Sequence, residues 1–235
     1  MLKFIFSCFF ILFCNLISYT QLNIDWQQSY GGLNYDYGYD IALAKDGYLI
    51  GGKYISSSGQ VECWDGTSGA WVLKIENGGE IVWQQCFNNN SGLYRLLNSK
   101  QTHDYYIIGG AGADQYGGAY NLWFARLDSL GNIIWEKTLG NSIGLAYEKY
   151  GILSSDDGLV GIAQIDSEGG DISHWNGGYD GWVVKLDALG KKEWDVSLGS
   201  SQFEFINGII QTSDGGYLAG LYGKPNGIGG NIDCT

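Results

Sequence analysis

One pattern, W-x-x-[KR]-[LI]-[DE]-x-x-G-x-x-x-W, occurs three times: in WVLKIENGGEIVWQQCF (71–87), WFARLDSLGNIIWEKTLG (123–140) and WVVKLDALGKKEWDVSL (182–198). Its fixed points are Trp71, Gly79 and Trp83, then Trp123, Gly131 and Trp135, then Trp182, Gly190 and Trp194. An internal repeat limits the fold more than composition does, because each copy must build the same supersecondary unit. Aligned on the second tryptophan, and with Trp26 counted as an earlier copy, the spacings are 57, 52 and 59 residues.

Each unit parses into four short strands. The first strands read DYGYDIALA, LYRLLNSK, YEKYGILSS and FEFINGIIQT. Tight turns built on KDGY, DDGL and SDGGY lead into the second strands, since Asp and Gly tolerate positive φ. A variable loop precedes the third strand, and the short turns ENGG, DSLG and DALG join it to the fourth. A straight hairpin on such a turn places Trp83 opposite Leu73 and Cys86 opposite Ala70. An indole repeated once per sheet suits a wedge between neighbouring sheets, burying roughly 150–250 Å².

Units of this kind, in a chain with 38 Gly, 17 Tyr and a single Pro, predict an all-β fold: a β-propeller of four-stranded blades. The expected blades are 36–86, 93–138, 147–197 and a partial fourth at 203–235, with an outer closing strand at 23–29. In the first and third units the tryptophan follows the second strand's first residue by 23 positions, so the fourth unit's would fall near position 240. A partial ring leaves strand edges unpaired. The expectation is therefore the N-terminal part of a longer product of about six to eight blades. The alternative is a four-bladed ring lacking one strand.

The hairpin KLDALGKKEW resembles the tryptophan-docking motif of quinoprotein-type propellers, although its Asp-to-Gly spacing is three and the usual Thr before Gly is absent. TSDGGYLAG and GGYDGWVVKLDALG bring the chain closer to Gly-rich repeat proteins exported by Bacteroidota through the type IX route. That likeness covers nearly all of residues 23–235. It implies architecture more than activity, since such proteins mostly have no assigned function.

Residues 1–20 carry one charge, Lys3, and an apolar run FIFSCFFILFCNLI, which reads as a cleavable signal peptide. The run is shorter than the roughly 20 residues of a membrane span. The mature chain is thus expected to be secreted or held at the cell surface, with no transmembrane segment. It would carry 12 Lys plus Arg against 25 Asp plus Glu, which argues against a nucleic-acid partner. Cys63, Cys86 and Cys234 would remain, so at most one bridge can form within the chain, and a Cys63–Cys86 pair is sterically conceivable.

Motifs for chemistry fail on context. GNSIG (140–144) matches the nucleophile-elbow pattern, but on a link between repeats rather than a strand-to-helix turn. GYLIGGKY lacks the Ser or Thr of a phosphate-binding loop and the helix that follows it. His103 and His174, the only histidines, lie in different repeats, and His103 reads as an exposed turn residue. The resemblance to quinoproteins would imply adjacent cysteines, which the chain lacks. Acids in one variable loop, Asp166, Glu168, Asp171 and Asp180, offer oxygen ligands for calcium without a regular calcium-loop spacing. Trp64 and Trp175 stand outside the repeat pattern in Gly-rich loops, where an indole can stack on a ligand ring.

The reading is a non-enzymatic scaffold or binding module for glycan or protein, with no cofactor required. Its competitor is a quinoprotein-like or hydrolytic propeller enzyme whose catalytic groups lie in blades beyond this sequence.

Overall fold

The computed structural model describes residues 24–62, 67–88, 92–111, 121–141 and 150–223. These form fourteen strands, and every strand pairing between them is antiparallel. Sheet 1 is β1 (Tyr37–Ala44), β2 (Gly47–Tyr54), β3 (Gly69–Ile75) and β4 (Ile81–Phe87). Sheet 2 is β5 (Leu93–Asn98), β6 (Tyr105–Ala111), β7 (Asn121–Leu127) and β8 (Ile133–Leu139). Sheet 3 is β9 (Tyr150–Leu153), β10 (Leu159–Ile165), β11 (Asp180–Leu186) and β12 (Lys192–Leu198). Sheet 4 holds β13 (Glu204–Gln211) and β14 (Tyr217–Gly223). Within each sheet the strands follow chain order, as in a blade. Among the described residues no helix is long and apolar enough to cross a membrane.

The sheets stack face to face in sequence order, and the core lies between them. Leu49, Ala70 and Val72 of sheet 1 meet Leu93, Ile107 and Trp123 of sheet 2. Tyr106, Ile108 and Phe124 of sheet 2 meet Leu159, Ala163 and Trp182 of sheet 3. Val160, Ile162 and Val183 of sheet 3 meet Ile206 and Ile209 of sheet 4. Strands β3 and β11 are buried along their whole length because both of their faces are covered. The outer strands β4, β8 and β12 are mostly part-exposed or exposed, so they mix apolar and polar residues.

The hairpin turns explain the Asp-x-x-Gly spacing. Gly79, Gly131 and Gly190 have φ of 95°, 88° and 80°, and each N–H donates to the carbonyl of the acidic residue three positions earlier. The register differs from the straight hairpin by one residue. Ile75 faces Ile81, but Trp83 faces Lys74 and Cys86 faces Trp71, because Val82 is an extra bulged residue. The same bulge recurs where Leu127 faces Ile133 and Arg126 faces Trp135, and where Leu186 faces Lys192 and Lys185 faces Trp194. Fixed loop length sets the register at the turn, and the bulge then changes it before the tryptophan.

The bulge puts each second tryptophan beside the next sheet's turn glycine. A Cβ on Gly131 would lie 2.7 Å from the Trp83 ring, and one on Gly190 would lie 2.9 Å from the Trp135 ring. Trp26 covers Gly79 in the same way, at 3.1 Å, while Tyr30 Oη donates to Gly79 O at 2.6 Å. Residues 24–30 form no strand among the described residues. The indole N–H of Trp135 reaches Ala188 O at 3.0 Å, and that of Trp83 reaches Ser129 O at 3.4 Å.

The basic residue of the repeat ties the sheet to its own first turn. Lys74 pairs with Asp46 at 3.0 Å, Arg126 with Asp104 at 2.6 Å, and Lys185 with Asp156 at 2.9 Å. Lys74 and Lys185 are buried, yet each also donates to a backbone carbonyl, so neither charge is stranded. Each first tryptophan is held by the residue after the second one: Trp71 by Gln84, Trp123 by Glu136 and Trp182 by Asp195.

Candidate functional site

The exposed chemistry gathers on the first strands. In β1 the pairing passes from Gly38–Gly52 to Asp40–Gly51, which leaves Tyr39 as a bulged residue. In β5 the pairing passes from Leu93–Gly109 to Arg95–Ile108 and leaves Tyr94 at the equivalent place. The β13 bulge places Asn207 there. A bulge re-aims a side chain away from strict alternation, and proteins often place bulges beside functional sites.

Here the two bulges bring tyrosines from different sheets together. The Tyr37 and Tyr39 rings lie 6.1 Å apart and 4° from parallel, and Tyr39 and Tyr94 lie 5.8 Å apart at 20°. All three remain open to solvent, at 45%, 47% and 37% exposure. Mutual burial raises the Tyr39 phenol above its ordinary pKa, with Tyr94 and Tyr37 adding to the shift, and burial likewise raises that of Tyr94.

The residues that follow the two bulged tyrosines are tied together. Asp40 accepts from Leu96 N at 2.8 Å and faces Arg95 at 3.6 Å, and the Arg95 guanidinium lies 4.7 Å from the centre of the Tyr150 ring. One chain of contacts thus joins the first strands of sheets 1, 2 and 3. Beside Tyr37 opens a cleft of ≈ 210 Å³ bordered by Tyr30, Asp36, Ile50, Trp71 and Leu73. Burial would raise the Asp36 carboxyl, but the Ser56 hydroxyl and the N–H groups of Ile55, Ser56 and Gly32 hold it below the usual range.

The residues singled out in the sequence lie elsewhere. Trp175 is half-buried against the core between sheets 2 and 3, and its indole N–H donates to Gly178 O of its own loop at 3.2 Å. Trp64 lies outside the described residues, as do Cys63, Cys234 and the expected signal segment. Cys86 is disulfide-bonded. His103 is an exposed turn residue with φ of 62°.

Asp166, Asp171 and Asp180 each have a partner of their own. Asp166 accepts from Ser167 Oγ at 3.1 Å, and Asp171 from Gly140 N at 3.2 Å. Glu168 and Asp171 border a cleft of ≈ 510 Å³ that also includes Asn121 and Asn141. Asp180 is fully buried, accepts from Asn176, and leaves Oδ1 without a hydrogen-bond partner. Burial raises its pKa, against the Asn176 bonds and with the nearby Glu204 charge adding to the rise. Among the described residues no three His, Cys, Asp or Glu side chains are placed to hold one metal ion.

Sequence reasoning missed the tyrosine row. Tyr37 and Tyr39 are visible as an alternating pair, but the stack with Tyr94 depends on two bulges, and a bulge has no reliable signature in a single sequence. No protein-family model matches the chain, and no curated protein matches it.

Proposed function

We propose that the chain is part of an exported β-propeller that acts without catalysis, as a binding module whose ligand is a glycan. The observation that carries this reading is the Tyr37–Tyr39–Tyr94 row. The three stacked rings stay partly open to solvent, and the outer faces, ring edges and hydroxyls of the row offer apolar and hydrogen-bonding contacts to a sugar. A set of rings held in place by strands loses little entropy when it binds. The acidic mature chain favours a neutral polysaccharide over an anionic one. The apolar leader and the likeness to type IX cargo support action outside the cell.

The test is calorimetric titration of the secreted chain with neutral oligosaccharides of six residues, cellohexaose, xylohexaose and maltohexaose. One of them is expected to bind, with Tyr39→Ala weakening it at least about tenfold, a loss of roughly 1.4 kcal/mol. Absence of binding to all three, or equal affinity in Tyr39→Ala, contradicts the glycan reading.

A further inference from the structure

The turn between β3 and β4 carries a reactive pair that the matching turns lack. Its tip is Asn77-Gly78, where sheet 2 has Ser129-Leu130 and sheet 3 has Ala188-Leu189. All three turns close with the same backbone bonds, from the N–H of Gly79, Gly131 or Gly190 to the acid three residues earlier, and from that acid's N–H to the carbonyl four residues on. The turn therefore folds without an Asn-Gly pair. Asparagine before glycine is open to attack by its own backbone, because its short amide reaches the next N–H and glycine neither hinders the approach nor resists bending.

Two other described Asn-Gly pairs provide the contrast. Asn176 is held by Asp180, which accepts from its backbone N–H at 2.7 Å and from its side-chain amide at 3.0 Å. Asn207 lies in β13, and the Gly208 that follows it pairs with Gly220 of β14. Asn77 and Gly78 are both exposed, and no hydrogen bond holds the Asn77 side chain among the described residues. A Cβ on Gly78 would first meet the Glu80 carboxylate, at 2.6 Å, which is the far end of a flexible side chain.

The same turn also anchors the segment that precedes sheet 1. The Trp26 ring lies 3.1 Å from a Cβ placed on Gly79, and Tyr30 Oη donates to the Gly79 carbonyl at 2.6 Å. Both contacts end on the residue after Asn77-Gly78.

The geometry points to Asn77 as a site of spontaneous isomerisation whose product releases Trp26 and Tyr30 from the turn of sheet 1. The Gly78 nitrogen attacks the side-chain carbonyl carbon of Asn77, and its proton passes through solvent to the amide nitrogen. The bond from that carbon to the amide nitrogen breaks, and ammonia leaves. Water opens the resulting cyclic imide at either carbonyl to give aspartate or isoaspartate, with nothing oxidised or reduced. In isoaspartate the main chain runs through the side-chain methylene, so a turn of fixed length gains an atom ahead of Gly79. The inference is independent of the glycan reading.

The test ages the full chain in warm, mildly alkaline buffer and follows each asparagine by peptide mass spectrometry. Asn77 is expected to convert at least about tenfold faster than Asn176 or Asn207, a barrier lower by roughly 1.4 kcal/mol. Gly78→Leu, matching Leu130 and Leu189 of the other turns, should suppress the conversion, with circular dichroism unchanged. Proton NMR reads the release. In the isoaspartate form the Gly79 α-hydrogen signals should shift while those of Gly131 and Gly190 hold, and fresh Asn77→Asp, which adds the charge without lengthening the chain, should leave Gly79 in place. Conversion at Asn77 no faster than at Asn176 or Asn207, or undiminished in Gly78→Leu, refutes the site. A Gly79 signal that stays put in the isoaspartate form, or moves as far in fresh Asn77→Asp, refutes the release.

Discussion

At the scale of single residues, the close approach of indole to glycine makes a sharp prediction. Gly131→Ala would put a methyl 2.7 Å from Trp83 at a residue whose φ is 88°. The substitution should cost about 2 kcal/mol or more, read as a lower denaturation midpoint in urea. Asp195 gives a second test. Burial alone would raise its pKa, but Lys192, the Trp182 indole and Ser173 together bring it down to about 2. A carboxyl depressed in the folded state stabilises the fold above its unfolded pKa, and that stability is lost as pH falls through the folded value. The wild-type chain should therefore lose about 1–2 kcal/mol between pH 4 and pH 2 from this group, allowing for solvent screening, and Asp195→Asn should flatten that part of the acid-unfolding curve. Tyr106 tests the opposite sign. Its hydroxyl is buried without a hydrogen-bond partner, and burial pushes its pKa up to about 12 against the pull of Arg126. Tyr106→Phe removes that stranded group and keeps the ring beneath the Arg126 guanidinium, 5.2 Å from its centroid, so the melting temperature should hold or rise.

At the scale of strands and hairpins, the repeat works because turn and bulge act together. Deleting Ile134 would remove the extra residue of β8 and leave Trp135 facing Arg126 in a regular ladder, without the local bend that carries its ring to Gly190. The contact between Trp135 and the turn of sheet 3 should then loosen, seen as lost hydrogen-exchange protection in residues 133–139 with β5 less affected. Much at this scale is legible in the sequence. Asp-x-x-Gly names the turn, the second tryptophan names the fourth strand, and Asp-Gly marks the first hairpin. The off-by-one register of Trp83 is not legible, because a bulge at Val82 looks like any other strand residue. The roles of the base and of the residue after the second tryptophan were also open to reading, since both recur in all three copies. Their partners, Asp46, Asp104 and Asp156 for the base, come from a turn some 22 to 29 residues earlier, so only the folded sheet reveals the pairs. The tyrosine row is harder still, since Tyr39 and Tyr94 lie in different repeats and meet only when two sheets stack.

At the scale of the whole molecule, each sheet reaches forward to the next. Trp26 covers the turn of sheet 1, Trp83 that of sheet 2 and Trp135 that of sheet 3, so the stack is a chain of nearest-neighbour locks, as in other repeat architectures. Leu218, on the last sheet, is 62% exposed, whereas its counterparts Leu49, Tyr106 and Val160 are fully buried beneath the following sheet. The most direct test of the forward lock is proton NMR of the glycine α-hydrogens. Ring currents from the indoles should move the signals of Gly79, Gly131 and Gly190 upfield, and Trp83→Leu should return the Gly131 signal alone to its ordinary range. If Trp83→Leu leaves Gly131 unmoved, or shifts Gly79 instead, the sheets do not lock forward in sequence and this account of the fold is wrong.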